Sequence, residues 1–257
     1  MLTYERYCDE IVRQSTSLYA SIDGADLTTP VPTCPGWNVG QLLRHIGSGQ
    51  RWMDTIVRTR ATEPLPGDSR ELSEYRDEDP AVVGPWLVEG AESLAAALRE
   101  SGQGGPAWTP LPMGGTDFTA RRATYETAVH RADAVLALGE KYSLDTDLAV
   151  DAIDEWMELM SIPMALQMYP EKRRLLGPGR TVHLHATDTD AEWVIDLTGD
   201  VITWRRAHEK SAVALRGPVL DLLLIVYRRK PARIDGVQIL GDEQLMDAWL
   251  EQAQFGT

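Results

Sequence analysis

The sequence predicts an α+β protein that consists of an N-terminal four-helix bundle and a small C-terminal domain with an antiparallel sheet. In the first part of the chain, apolar residues recur every three or four positions, as in amphipathic helices. Beyond about residue 145 they alternate every second position, as in half-buried strands. A length of 257 residues is sufficient for two domains. We therefore expect a bundle over residues 1–145 and an α+β domain over residues 146–257.

The first two helices of the predicted bundle have clear start or stop signals. The first has an apolar stripe from Tyr4 to Ile22 and ends at Gly24. Asn38 and Gln41 have the spacing of a capping box, in which each side chain bonds the other's backbone amide. The second helix is therefore expected to begin directly after Asn38.

The third and fourth helices follow long loops that are rich in glycine, proline and charge. Asp79 and Pro80 have the residue types preferred at an N-cap and a first helical position. The fourth helix is expected to start at Thr116 or Asp117 and to run to Gly139. Because no strand signal interrupts these four helices, they are typical of a bundle.

The C-terminal part is predicted to mix helices and strands. One more helix is expected from Asp147 to about Gln167. Two-residue alternation then predicts three antiparallel strands around residues 182–186, 193–197 and 201–204, followed by an apolar helix from Gly217 to Tyr227, a strand over 237–240 and a closing helix.

Composition excludes several classes of partner and location. Lysine and arginine total 25 against 39 aspartates and glutamates, and the net charge of −14 argues against nucleic acid or an anionic membrane as the main partner. Two cysteines form no disulfide framework, and neither a signal sequence nor a run long enough to cross a bilayer is visible. We expect a cytoplasmic protein without a membrane anchor, and the sequence does not predict its oligomeric state.

Three residues form a candidate metal site. Glu126 and His130 are four positions apart and project from the same side of the fourth helix. His45 occupies the corresponding flank of the second helix, so two imidazoles and a carboxylate meet if these flanks face each other. Such a three-ligand set with an open position is expected of catalytic zinc or another divalent metal. The alternatives are an exposed Glu–His contact and a core-edge His45 bonded to a backbone carbonyl.

Other reactive residues near this pattern have open interpretations. Asp133, one turn beyond His130, is either an acceptor that holds an imidazole tautomer or a solvated acid. Cys34 could be a fourth ligand or a nucleophile, but we favour a small residue packed in a tight turn. His183 and His185 share one strand face, and we interpret them as strand-surface histidines because the sequence supplies no obvious further ligands.

Several segments resemble one known family. Residues 31–39 are VPTCPGWNV, residues 42–46 are LLRHI, residues 126–133 are ETAVHRAD, and residues 181–188 are TVHLHATD. With Gly241-Asp242, they resemble, in the same order, the mycothiol-dependent maleylpyruvate isomerase-like proteins, a branch of the DinB/YfiT-like metal-binding bundles. The resemblance covers essentially the whole chain and is more specific to the family than to any one reaction.

The resemblance implies a DinB-like bundle followed by a sterol-carrier-like domain. It implies that His45, Glu126 and His130 bind zinc, that mycothiol is the thiol cosubstrate, and that the second substrate is a small electrophile such as an unsaturated oxo-acid. Arg229 is the expected substrate-binding arginine, although relatives often have Gly-Arg where this chain has Tyr-Arg-Arg-Lys-Pro at 227–231. The expected reaction is isomerisation or S-transfer. The alternatives are a non-enzymatic metal- or small-molecule-binding module with a sensing or protein-interaction role, and metal-assisted hydrolysis.

Overall fold

A computed structural model describes residues 1–66, 72 and 75–253. The chain divides into two compact units, Leu2–Tyr142 and Ser143–Thr257, of which the second is described as far as residue 253. Helices form the first unit, and helices with one sheet form the second, so the protein belongs to the α+β class that the sequence predicts.

The first unit contains four long helices. They are α1 (Tyr4–Ser21), α2 (Val39–Thr59), α3 (Pro80–Ser101) and α4 (Gly115–Ala137). Helix α1 packs against α3 and α4, and α2 packs against the same two helices. The shared core is apolar, and Leu18, Leu42, Leu43, Val83 and Leu87 in it have no exposed surface.

The predicted helix starts are confirmed at two positions and displaced at a third. Asn38 and Gln41 form both hydrogen bonds of the capping box, and the Asp79 side chain accepts a hydrogen bond from the backbone amide of Ala81. Helix α4 begins at Gly115, slightly earlier than expected, because Gly114 caps it without a side chain.

Helices α2 and α3 approach closely at a glycine. A Cβ atom on Gly47 would overlap the ring of Trp86, so this contact requires the absence of a side chain. The guanidinium groups of Arg44 and Arg51 lie 4.3 Å and 4.0 Å from the Trp86 ring, within the distance of a cation–π interaction. These contacts fix the position of α3 on α2.

Helix α3 is also the one candidate membrane span among the described residues. Its length and a mean hydropathy of 1.2 meet the criteria for a span, but half of that window is buried inside the protein. Buried helices of a bundle core pass the same test, so this is weak evidence for a membrane segment.

The second unit begins with a helix that is shorter than expected. Helix α5 covers Thr146–Ser161, and a separate short helix, α6, covers Ala165–Met168. The prediction of one helix to Gln167 is therefore wrong. Ile162 is extended, with φ −64° and ψ 126°, because the residue before Pro163 is disfavoured in the helical region. A 3₁₀ helix then spans Pro170–Leu175.

Five strands and two more helices complete the second unit. The strands are β1 (Thr181–Ala186), β2 (Glu192–Asp196), β3 (Thr203–Arg205), β4 (Val213–Gly217) and β5 (Gln238–Gly241), and the helices are α7 (Val219–Val226) and α8 (Glu243–Gln252). The strand order is β3-β2-β1-β4-β5.

The sheet is mixed, whereas the sequence led us to expect an antiparallel one. Strand pairs β1–β2, β2–β3 and β4–β5 are antiparallel, but β1 and β4 are parallel. The reason is topological: after edge strand β3, the chain crosses to the far side of β1, and β4 starts there in the direction of β1. Alternation along single strands cannot reveal such a crossover.

Candidate metal centre

Two helices of the first unit bring the two predicted histidine ligands together. His45 lies on α2, and His130 lies on α4, one turn after Glu126. The centroids of the two imidazole rings are 5.2 Å apart, with the ring planes nearly perpendicular at 89°. The flanks of α2 and α4 therefore face each other, as the bundle prediction requires.

The two ring nitrogens of His130 contact different acids. Nε2 lies 3.4 Å from Oε2 of Glu126, and Nδ1 lies 2.8 Å from Oδ2 of Asp133. Asp133 is 1% exposed, which excludes a solvated acid. Its carboxylate is placed to accept a hydrogen bond from Nδ1–H, so Nε2 is the ring nitrogen on the side of Glu126.

A short loop before α2 supports both histidines. The Thr33 hydroxyl donates a hydrogen bond of 2.6 Å to Asp133, and the Cys34 thiol lies 3.5 Å from the same carboxylate. The ring of Trp37 contacts that of His45, with the centroids 4.7 Å apart and the planes tilted by 45°. We call residues 30–38 the clamp loop, because a backbone bridge between Pro30 and Asn38 closes it.

Glu126 is the most accessible member of the centre. Its side chain is 46% exposed, and Arg122 lies 3.1 Å from its Oε1 atom, so Oε1 pairs with Arg122 while Oε2 faces His130. One side of the centre is thus open to small molecules, whereas the side of Asp133 is closed.

The charges of the centre shift two pKa values. Burial acts to raise the pKa of Glu126, but Arg122 and the two histidines together lower it below its usual range. For His130, burial favours the neutral ring, but hydrogen bonds to Asp133, Cys34 and Glu126 raise its pKa well above the usual value. A metal ion must therefore compete with a proton at His130, because it binds the neutral imidazole.

Two overlapping donor sets surround His130. The expected set consists of His45, Glu126 and His130, and the donor atoms of a second set, Cys34, His130 and Asp133, lie within 4.8 Å of one another. The expected set offers the donor types that suit a catalytic divalent ion, namely two imidazole nitrogens and a carboxylate, with the buried Asp133 carboxylate behind one imidazole. In the second set, the hydrogen bond of Asp133 already occupies the Nδ1 side.

Arg229 lies in the second unit and not in the bundle. It is half-buried after the end of α7, and its guanidinium donates a hydrogen bond of 2.7 Å to the carbonyl of Tyr227. It lines a cavity of about 400 Å³ together with Arg228, Lys230 and Arg233. Asp247 and Glu251 also line the cavity, and Asp247 pairs with Arg233.

Comparisons with known proteins agree with a helical bundle that is followed by an α+β unit. Residues 8–135 match the family model of the mycothiol maleylpyruvate isomerase N-terminal domain, and residues 147–248 match that of the MDMPI C-terminal domain. The chain therefore belongs to the mycothiol-dependent maleylpyruvate isomerase family.

Solved structures show the same overall fold. A crystal structure of the mycothiol-dependent maleylpyruvate isomerase matches with a TM-score of 0.63 and 14% sequence identity, over 93% of each chain. The structure of a histidine-to-alanine mutant of that enzyme matches with a TM-score of 0.60 and 15% sequence identity, also over 93% of each chain. A UbiJ-SCP2 ubiquinone synthesis protein covers 44% of this chain and 93% of its own at 11% identity, but its TM-score of 0.31 is too low to define a shared fold. No curated protein matches the chain.

Proposed function

We propose that this protein is a metal-dependent enzyme that uses mycothiol to isomerise a small electrophilic substrate, such as an unsaturated oxo-acid, or to transfer the thiol to it. The observation that carries the proposal is the close approach of His130 to both His45 and Glu126 in a bundle whose sequence matches the isomerase family. We further propose zinc as the metal, because two nitrogens and one oxygen form a typical catalytic zinc set.

The residues of the centre have distinct roles in this proposal. His45, Glu126 and His130 bind the ion, and Asp133 holds the Nδ1 proton of His130 so that Nε2 remains a ligand. When bound, a divalent ion supplies Lewis acidity, which lowers the pKa of a coordinated thiol and polarises a carbonyl group.

An anionic substrate requires local positive charge in this acidic protein. An anionic substrate is repelled by a chain with a net charge of −14, so cations must act close to the site of binding. We propose that Arg229 binds the carboxylate of the substrate, because its guanidinium lines a cavity with three further cationic side chains. Two free cysteines and a thiol cosubstrate suit a reducing cytoplasm.

The proposal is tested by metal analysis and turnover of one untagged preparation. We expect zinc binding at the bundle centre and mycothiol-dependent consumption of a cis-unsaturated oxo-acid. His130→Ala should lower the zinc content by one ion per chain and abolish the consumption. Glu140→Gln is the matched control, since Glu140 is exposed just beyond the end of α4. Full metal retention by His130→Ala contradicts the ligand assignment, and binding of mycothiol without turnover across a broad panel of electrophiles favours a non-enzymatic binding module.

The product distinguishes the two reactions. An isomerase forms the trans isomer and returns all of the thiol, whereas an S-transferase consumes one thiol per thioether formed. Mass spectrometry and thiol titration of the same reaction mixture measure both quantities. Turnover of any substrate without added thiol contradicts both and favours metal-assisted hydrolysis.

The role of Arg229 predicts a selective loss of substrate affinity. Arg229→Ala is expected to raise KM for an anionic substrate by about 10-fold or more, because a charge-assisted hydrogen bond contributes about 1.5–3 kcal/mol. Zinc content should stay unchanged. Arg173→Ala removes an exposed arginine elsewhere in the same unit as the control. Equal KM values in the two variants contradict the assignment.

A further inference from the structure

The second unit contains a histidine cluster that no part of the proposed reaction uses. His183 and His185 lie on the same face of β1, and Glu192 on β2 is directly opposite His185 in the antiparallel register. His208 belongs to the connection between β3 and β4. The donor atoms of these four side chains lie within 4.8 Å of one another. The expectation of strand-surface histidines is wrong for His183, which is buried.

One carboxylate oxygen is the centre of the cluster. Oε2 of Glu192 lies 2.7 Å from Nε2 of His183, 3.2 Å from Nδ1 of His185 and 2.7 Å from Nδ1 of His208. The three imidazole centroids form a nearly equilateral triangle with sides of 5.7, 5.8 and 5.8 Å. Three ring nitrogens therefore converge on a single acidic oxygen.

Hydrogen bonding alone does not satisfy this arrangement. A carboxylate oxygen has two lone pairs, and the hydrogen bonds with His183 and His208 use both of those of Oε2. Nδ1 of His185 lies 3.2 Å from the same atom without such a bond to it. A cation at the centre removes the conflict, since each nitrogen then directs a lone pair to the ion. Ligand atoms about 2.0–2.1 Å from a tetrahedral zinc ion lie about 3.3 Å apart, so small side-chain movements are sufficient.

Neighbouring basic side chains do not occupy the central carboxylate. Arg205 pairs with Glu209, and Arg206 forms two hydrogen bonds of 2.8 and 2.9 Å to Asp154. Glu192 is left to the histidines, and it provides the negative charge that a divalent ion requires. The ligands also differ in exposure, from 8% for the His183 side chain to 77% for His208, so an ion can enter from the loop side.

We propose that His183, His185, Glu192 and His208 form a second zinc site, separate from the bundle centre. Three imidazoles and one carboxylate are typical zinc ligands and are unsuited to calcium or magnesium, which prefer oxygen. Four protein ligands leave no open position, so the ion is structural. It holds the connection between β3 and β4 against the face of β1 and β2.

A zinc titration of the untagged full chain tests this proposal. The His130→Ala chain is stripped of metal and titrated with zinc ions against a chromophoric chelator, so that the bundle centre does not dominate the signal. We expect one zinc ion per chain. Adding His208→Asn is expected to weaken zinc binding by more than about 100-fold. Loss of a residue that only hydrogen-bonds to a ligand already weakens binding by up to about 100-fold, and loss of a ligand should weaken it more. Lys210→Asn, in the same connection and equally exposed, should leave it unchanged.

A second variant separates metal binding from folding. Glu192→Gln keeps the shape of the side chain and one acceptor oxygen but removes its charge. Zinc should raise the Tm of the His130→Ala chain and should not raise that of His130→Ala with Glu192→Gln. The proposal is overturned if the His208→Asn and Lys210→Asn chains bind zinc equally, or if zinc stabilises the Glu192→Gln chain as strongly as its parent. Either result would leave the cluster a hydrogen-bonded group only.

Discussion

Replacing Asp133 by asparagine tests the core of the proposed bundle centre. The carboxylate of Asp133 is buried and lies 2.8 Å from Nδ1 of His130, where it fixes the tautomer and increases the basicity of the ring. Loss of such an acceptor behind a ligand weakens metal binding by about 10- to 100-fold, which corresponds to about 1.4–2.8 kcal/mol. We expect the same loss for Asp133→Asn, because the variant keeps the size of the side chain but removes its charge and one of its two acceptor oxygens.

Competition with a chromophoric zinc chelator measures this loss. The His208→Asn background silences the cluster in the second unit, and Glu140→Gln removes one negative charge from an exposed position as the control. Urea unfolding of the metal-free variant checks that the bundle is intact. Zinc affinity within twofold of the parent chain would refute the role of Asp133.

The same assay discriminates between the two donor sets around His130. If Cys34, His130 and Asp133 were the ligands, Cys34→Ser would weaken zinc binding as strongly as Asp133→Asn. We expect a change below about threefold for Cys34→Ser, because the thiol contacts the buried carboxylate of Asp133 and is not a member of the expected ligand set. A large loss of zinc affinity in Cys34→Ser, together with full zinc binding in Glu126→Gln, would show that the ion lies on the Asp133 side of the imidazole.

Two further predictions concern stability. Gly47→Ala should lower the free energy of unfolding by about 1–3 kcal/mol, because the new methyl group overlaps Trp86. Gly49→Ala should raise it by about 0.5–1 kcal/mol, because no atom lies within 4 Å of the added methyl group. Urea unfolding that finds Gly47→Ala more stable than Gly49→Ala contradicts this packing. Burial lowers the pKa of Lys172 from 10.5 to about 8. The unfolded chain therefore binds more protons between these values, and stability relative to Lys172→Met should rise with pH there by at most about 3 kcal/mol, so parallel pH profiles of unfolding contradict the shift.

Local sequence signals predicted most of the helices, whereas features that depend on contacts between distant parts of the chain were missed. The capping residues Asn38 and Asp79 act within one turn of their own helix, so their effect is visible in the sequence. Pro163 carried an equally local signal that the apolar periodicity obscured, and it ends α5 early. The parallel pairing of β1 with β4 depends on where the chain crosses the sheet, which no single strand encodes.

The two clusters differ in how much of them the sequence reveals. Glu126 and His130 share a helix face at a fixed spacing, so they could be found without a structure. Thr33, which donates to Asp133 across 100 residues of chain, could not. In the second unit, the pair His183 and His185 was visible from its alternation, whereas Glu192 and His208 required the strand register. Pairing β1 with β2 on paper would have placed Glu192 opposite His185.

The clamp loop, residues 30–38, links the two imidazoles of the bundle centre to opening of its own backbone. Its amides are tied internally, since Val31 donates to Trp37, and Cys34 donates to Val31. The side chains of the same loop contact His45 and the partner of His130. Opening of the loop must therefore disturb both imidazoles at once. A ligand that binds only the closed form lowers the population of the open form, so slower hydrogen exchange at these amides would report occupancy of the centre without any substrate.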